Sequence, residues 1–397
     1  MKKLEKKVLI QSLTLLLIIL IGANLRTPLT AVPPILNNIS SSFNLPTWFL
    51  GSMTTIPLLC FAIISPFVSQ LSRKFGILTT ITIAIIGLLI GSLFRVYSFP
   101  TLLVGTLLIG SSIAILNVLS PVLVAKFYPH KIGLMTSAYT FSMTIFSALS
   151  AGFSAPLSAR IGWKSTLQWL VVIPVITLLV LFWQRDSKKA NHLSNKSFVP
   201  AEQLKSIWHQ PLAWYLTFYM GLQSFLFYTI LTWLPSIFVA HGISQNQSSF
   251  LLGLMQLSSL PVAYLIPNLA SHLKKQTFLI WMIFCLFIFG FSGLLFKTSS
   301  LFFAAIICIL LGFATNSAFC LSMVLFSLKT NNPDETSAMS GMAQSIGYLV
   351  ASIGPVLSGI MHSLTNSWNL VILMLLALVI IQTIFGLMID KKKTVFG

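Results

Sequence analysis

An arginine lies inside the first long apolar run of this 397-residue chain. Arg26 falls about two-thirds of the way along Val8 to Leu36, and it is the one formal charge near the middle of any predicted membrane span. A guanidinium at that depth costs about 2.5–3.5 kcal/mol on insertion scales, and such residues face a bundle interior or a wet cavity. Its chemistry is the recognition of anions, through a fixed charge and a planar fork of donors. The six acidic residues, Glu5, Asp186, Glu202, Asp334, Glu335 and Asp390, all fall in tails, linkers or span ends. The histidines at 130, 192, 209, 241, 272 and 362 are equally peripheral. Arg26 therefore has no intramembrane carboxylate to pair with, and its options are water, backbone carbonyls or a bound anion. An intramembrane carboxylate proton relay and a carboxylate cage for cations are excluded on the same ground.

Uncharged polar side chains recur near the middle of the predicted spans: Asn24, Thr27, Thr54, Asn117, Tyr139, Gln223, Tyr228, Gln256, Asn316 and Gln344. Asn24 and Thr27, three residues apart, share one helix face, and Arg26 and Thr30 share the adjacent one. Amides and hydroxyls beside a single guanidinium suit a small anion. The competing role for each amide is an interhelical hydrogen bond. For Tyr139 and Tyr228 it is packing, and for Arg26 a snorkel or a carbonyl clamp. Asn117 and Gln256, central in the fourth and eighth predicted spans, are the stronger amide candidates. The four cysteines, Cys60, Cys285, Cys308 and Cys320, fall inside spans with no metal-ligand spacing, so neither disulfides nor a metal are expected, and no cofactor.

The elements that position these residues follow from composition. Apolar residues make up 56% of the chain and charged residues 8%, against about 25% charged in soluble domains. Stretches of about 20 apolar residues, each able to cross a ~30 Å hydrocarbon core, recur along the whole length. Twelve helices are predicted at approximately 8–36, 48–70, 77–95, 101–125, 134–158, 165–184, 211–236, 248–270, 277–296, 301–328, 336–361 and 367–389. The basic start resembles a secretory signal, but no small-residue cleavage site follows its apolar run. With both termini in the cytoplasm, 19 of the 24 Lys and Arg residues are inside and four are outside, namely Arg95, Arg160, Lys164 and Lys297. That asymmetry sets the orientation and an even span number. The net charge of +18 sits at span ends, so nucleic acid is not an expected partner. A polar segment, 185–210, separates residues 1–184 from 211–397 and reads as a cytoplasmic linker, with a surface helix near Glu202 to Trp208. Prolines at 28, 33, 34, 57 and 66, and at 235, 261 and 267, are expected to bend their helices.

Landmarks recur at a fixed offset of 202: Pro33 with Pro235, Gly51 with Gly253, Met53 with Met255, Gly91 with Gly293, Gly110 with Gly312, Ser120 with Ser322, and Gly152 with Gly354. They stay in register across five of six helix pairs without a gap. This predicts a duplicated six-helix unit whose parallel repeats enclose a site at the bilayer midplane. The same offset sets Tyr228 opposite Arg26, a phenol that can hydrogen-bond the guanidinium but not neutralise it.

Twelve spans, a central polar segment and the turn Leu71-Ser72-Arg73-Lys74-Phe75-Gly76 resemble the major facilitator superfamily, although Arg73 stands where that family's turn has an acid. More narrowly, Gly22-Ala23-Asn24-Leu25-Arg26-Thr27-Pro28-Leu29-Thr30-Ala31-Val32-Pro33-Pro34 resembles the first helix of the bacterial cyanate and 2-nitroimidazole permease branch. The segments Gly221 to Tyr228, Trp233 to Ser236, and Thr54 to Phe61 are similar to it as well. The resemblance implies an all-α membrane protein with twelve transmembrane helices in two pseudo-symmetric six-helix bundles, and Arg26, Gln223 and Tyr228 at a central cavity. The expected function is alternating-access transport of a small anion, cyanate-like, nitrate-like or a small carboxylate, by a monomer in the bacterial plasma membrane. The rival is an exporter of neutral or weakly polar drugs, with Arg26 structural. A membrane enzyme would need acids or histidines clustered at one membrane face, and those present are too few and scattered.

Overall fold

The computed structural model describes residues 2–127, 132–186, 207–330 and 333–392. The long helices among them are α1 (Lys2–Thr30), α2 (Ser52–Phe75), α3 (Ile77–Phe94), α4 (Phe99–Phe127) and α5 (Ile132–Ile161). The sixth, α6, is in two pieces (Trp163–Trp169 and Val172–Asp186). They continue with α7 (Pro211–Ala240), α8 (Gln245–His272), α9 (Thr277–Leu295), α10 (Leu301–Leu328), α11 (Pro333–Thr365) and α12 (Asn369–Asp390). By length and composition, eleven are apolar enough to cross a bilayer. The remaining one, α5, is a 30-residue helix whose apolar residues are diluted by Ser, Thr and Gly. Most of the expected linker, 185–210, and most of its expected surface helix lie outside the described residues.

Two expected spans differ in detail. The first ends at Thr30 rather than 36, because Pro33 and Pro34 supply no N–H to the preceding turn. A 3-10 turn (Pro33–Ile35) and a short helix (Leu36–Phe43) follow, and Asn44, in the left-handed region at φ 52°, stops the second. The sixth breaks at Leu170-Val171, and Pro174 sits in the first turn of the second piece, where an N–H has no intrahelical partner. Gly76 (φ 83°) makes the reversal between α2 and α3 that a Cβ would strain. Asp390 accepts from the Gln276 N–H at 2.7 Å and the Thr277 hydroxyl at 2.5 Å, and so caps α9.

The packing obeys the repeat. In the first half α1 lies against α5, α2 against α4, and α3 against α4. In the second half α7 lies against α11, α8 against α10, and α9 against α10. The halves meet where α5 crosses α8 and α2 crosses α11, two contacts that the pseudo-symmetry exchanges. The chain therefore forms two pseudo-symmetric six-helix bundles. Small residues permit the crossings. A Cβ on Gly253 would lie 2.9 Å from the Ala148 carbonyl oxygen and 3.1 Å from the Gly152 Cα. A Cβ on Gly51 would collide with the Pro355 carbonyl. We expect Gly51→Val to force α2 and α11 apart at an overpacking cost of about 1–3 kcal/mol, seen as a lower Tm by fluorimetry. Gly51→Ala should fall between wild type and valine.

Hydrogen bonds join the bundles on the side where α1 ends. Gln245 Nε2 donates to the Pro34 carbonyl at 2.8 Å and to Asn38 Oδ1 at 2.7 Å. Thr55 donates to the Ser352 carbonyl at 2.6 Å, and Thr232 to the Thr54 hydroxyl at 2.8 Å. Ser249 donates to the Ala151 and Gly152 carbonyls. This end of the bundle is clasped.

Candidate functional site

Below the clasp, six helices leave a cavity of about 60 Å³. One water needs about 10–15 Å³ by the same measure, so a solute of a few heavy atoms fits. Helix α1 contributes Arg26, and α5 contributes Met143, Thr144 and Ser147. The second half supplies most of the wall: Gln223, Ser224, Phe227 and Tyr228 from α7, Gln256 and Ser259 from α8, Thr315, Asn316 and Phe319 from α10, and Tyr348 from α11.

Arg26 reaches the cavity from α1, which continues through Pro28 to Thr30. Its Nη1 donates to Tyr228 Oη at 3.0 Å. The guanidinium carbon lies 5.1 Å from the Phe227 ring centroid and 5.5 Å from that of Tyr228, within cation–π range. Among the described residues, no Asp, Glu or His lines the cavity. The phenol and the rings orient the guanidinium and stabilise its charge, yet none of them cancels it. Phe61 and Tyr228 meet Tyr348 edge-on at 5.6 and 6.4 Å between centroids, which extends the aromatic wall across the bundle interface.

The amides are partly committed. Gln223 Nε2 donates to the Thr315 carbonyl at 3.1 Å, and its Oε1 accepts from Ser224 at 3.1 Å. Gln256 Nε2 donates to Ser147 Oγ at 2.8 Å, a bond between the two halves at the level of the cavity. Asn316 Nδ2 donates to the Ser259 carbonyl at 2.8 Å. Each amide thus spends one N–H on fixing its own orientation and retains a second.

Of the eleven residues singled out from the sequence, Arg26 included, the cavity wall contains Arg26, Gln223, Tyr228, Gln256 and Asn316. The other six do not line it. Asn24 donates to the Leu20 carbonyl at 2.7 Å and to Thr177 Oγ1 at 2.8 Å, which joins α1 to α6. Thr27 bonds the Ala23 carbonyl and faces an apolar crevice with Phe153 and Leu170. Tyr139 borders a small void beside Ile18, Ile21 and Leu123. Gln344 donates to Ser340 at 2.9 Å, one turn back on α11. Asn117 is half-buried on α4, away from the cavity wall. Thr54 sits in the clasp. Sequence reading missed Ser147, Ser224, Phe227 and Tyr348. Tyr348 carried a signal, being one helical turn beyond Gln344, and Phe227 another, as the neighbour of Tyr228. The serines carried none, because Ser147 is one of many hydroxyl residues along α5 and Ser224 one of several along α7.

The Major Facilitator Superfamily model matches residues 14–355 of the chain. The chain is 33% identical to the 2-nitroimidazole transporter of Escherichia coli over 95% of each protein. It is 24% identical to the cyanate transport protein of the same organism, over 89% of this chain and 91% of the relative. Among solved structures, a bacterial homologue of the human lysosomal transporter Spinster, inward-facing and unoccupied, superposes with a TM-score of 0.77 over 96% of this chain and 97% of that one, at 14% identity.

Proposed function

We propose that this chain, which belongs to the Major Facilitator Superfamily and to its branch of cyanate and 2-nitroimidazole permeases, carries a small anionic solute by alternating access, with Arg26 as the residue that binds it. Transport of a small-molecule solute across a membrane follows from the family and its relatives. The anionic solute rests on one observation: a guanidinium faces a cavity that no carboxylate among the described residues lines, with a tyrosine as its hydrogen-bond partner. Cyanate, nitrate-like ions and small carboxylates match that charge, and a cavity of about 60 Å³ favours solutes of this size.

The coupling is electrostatic. An unpaired guanidinium resists closure of the cavity, because closure removes the water that solvates it. A bound anion neutralises the charge and satisfies the free donors, so the occupied protein passes through a closed state more readily than the empty one. With both termini in the cytoplasm, as the basic residues argue, the clasp between Asn38 and Gln245 faces outward and must open once per cycle. The two bundles that rock are 1–184 and 211–397, joined through 185–210, in the bacterial plasma membrane, and one chain suffices.

The aromatic wall of Phe227, Tyr228, Phe319 and Tyr348, together with the 2-nitroimidazole transporter relative, supports a second reading, a flat neutral solute whose polar group meets Arg26. Uptake into proteoliposomes separates the two. We expect labelled small anions to accumulate saturably, and uptake to follow an imposed inside-positive potential if the anion moves alone. Transport of neutral nitroaromatics with no uptake of any small anion would refute the anionic reading.

A further inference from the structure

A second arginine is buried outside the central cavity. Arg95 caps the end of α3, where its position in the chain predicts a side chain in water, yet it is only 3% exposed. Its counterpart at the 202-residue offset, Lys297, is exposed at the end of α9. The difference has a local cause. Arg95 packs on Gly105 of α4, where a Cβ would come within 2.5 Å of the Arg95 Cβ. The repeat has Ile307 at that place, and its side chain fills the space over Gly293. The glycine notch turns Arg95 inward, and the isoleucine leaves Lys297 outside.

The guanidinium enters a small cavity between α1, α2 and α4. Nη1 donates to the Pro28 carbonyl at 3.2 Å, a carbonyl near the end of α1 where Pro33 and Pro34 deprive the last turn of donors. Nε and Nη2, the two nitrogens of one edge, are buried without any partner. The wall is apolar, with Met53, Leu102 and Ile109, and its one hydroxyl, Thr106, donates to the Leu102 carbonyl. Among the described residues, no acidic one lines it. The carboxyl-terminal dipole of α1 offsets part of the charge. The rest of the charge and the two edge donors remain, and buried donors of a charged group are rarely left unmade. About 10 Å³ is free, space for a single water-sized or halide-sized occupant and too little for a carboxylate or a polyatomic oxyanion. A water would satisfy donors but leave the charge. A halide does both, and an apolar wall suits a polarisable, weakly hydrated ion.

We propose that Arg95 holds one buried halide on its Nε–Nη2 edge, in a site separate from the Arg26 cavity and not part of the transport path. The ion clamps α1 just beyond Arg26, so its occupancy stabilises the first bundle. The test uses the purified full-length protein in gluconate buffer, which contains no anion small enough for the site. Titrating chloride or bromide should raise Tm saturably, by roughly 2–4 °C. Arg26→Gln should keep this response and Arg95→Gln should lose it. Absence of the response in wild type, its persistence in Arg95→Gln, or its loss in Arg26→Gln would overturn the proposal. Should Arg95→Gln fail to fold, wild-type crystals grown in bromide decide. An anomalous peak within hydrogen-bond distance of Arg95 is expected, and a water there with no anomalous signal contradicts the site.

Discussion

Arg26→Ala is expected to abolish saturable uptake of the anionic solute while leaving the protein folded. Removing the guanidinium takes away the charge and at least two charge-assisted hydrogen bonds to the anion, each about 1.5–3 kcal/mol, so affinity should fall by more than roughly 100-fold. Stability should not fall with it. The substitution relieves a mid-membrane charge that costs about 2.5–3.5 kcal/mol on insertion scales, so Tm should be unchanged or higher. Arg26→Lys keeps the charge but loses the planar fork and much of the stacking on Phe227 and Tyr228. It should recover a small fraction of uptake with a raised KM. Tyr228→Phe removes only the bond that orients Nη1, and the expected effect is about 0.5–1.5 kcal/mol, a several-fold rise in KM. The ordering Tyr228→Phe, Arg26→Lys, Arg26→Ala, from mildest to most severe, is checked by initial uptake rates in proteoliposomes with matched protein orientation.

Tethering the clasp should stop turnover almost completely. Gln245 and Asn38 touch at 2.7 Å across the bundle interface, on helices of opposite halves. In a background without Cys60, Cys285, Cys308 and Cys320, paired Asn38→Cys and Gln245→Cys substitutions place two thiols on either side of that contact. A short bifunctional thiol reagent spans them better than a direct disulfide, because cysteine is shorter than either side chain it replaces. Uptake should fall by more than ~90% on cross-linking, since alternating access requires the two halves to part at this end, and a reducible reagent should allow recovery. Each single cysteine treated with the same reagent should transport normally. Full transport by the tethered protein would show that this end stays closed throughout the cycle.

Much of the architecture was legible because the membrane restricts what a chain can do. Apolar runs of spanning length can only be helices there, and the 202-residue offset carried the pairing of the halves. The Arg26–Tyr228 contact, two residues 202 apart, shows how far that offset reaches into side-chain detail. Helix rotation was less legible. Where every face of a helix is apolar, no periodicity says which face meets water and which meets a neighbour. Asn24, two residues from Arg26, therefore looked like a cavity donor but is spent on Thr177 of α6, and Gln344 is turned along α11 toward Ser340. Arg95 was hidden for a related reason. A basic residue at a span end reads as part of a loop, and only the opposing Gly105 on the next helix, invisible to a reading of one helix at a time, draws it inside.

Direct binding tests the central claim most simply. Purified protein in gluconate buffer, titrated with cyanate, nitrite, nitrate and small carboxylates under isothermal calorimetry, should give at least one saturable 1:1 isotherm. The same anion should give none with Arg26→Gln of equal Tm. Binding of that anion by Arg26→Gln with wild-type affinity, or no binding of any small anion by the wild type, would contradict Arg26 as the anion-binding residue of this transporter.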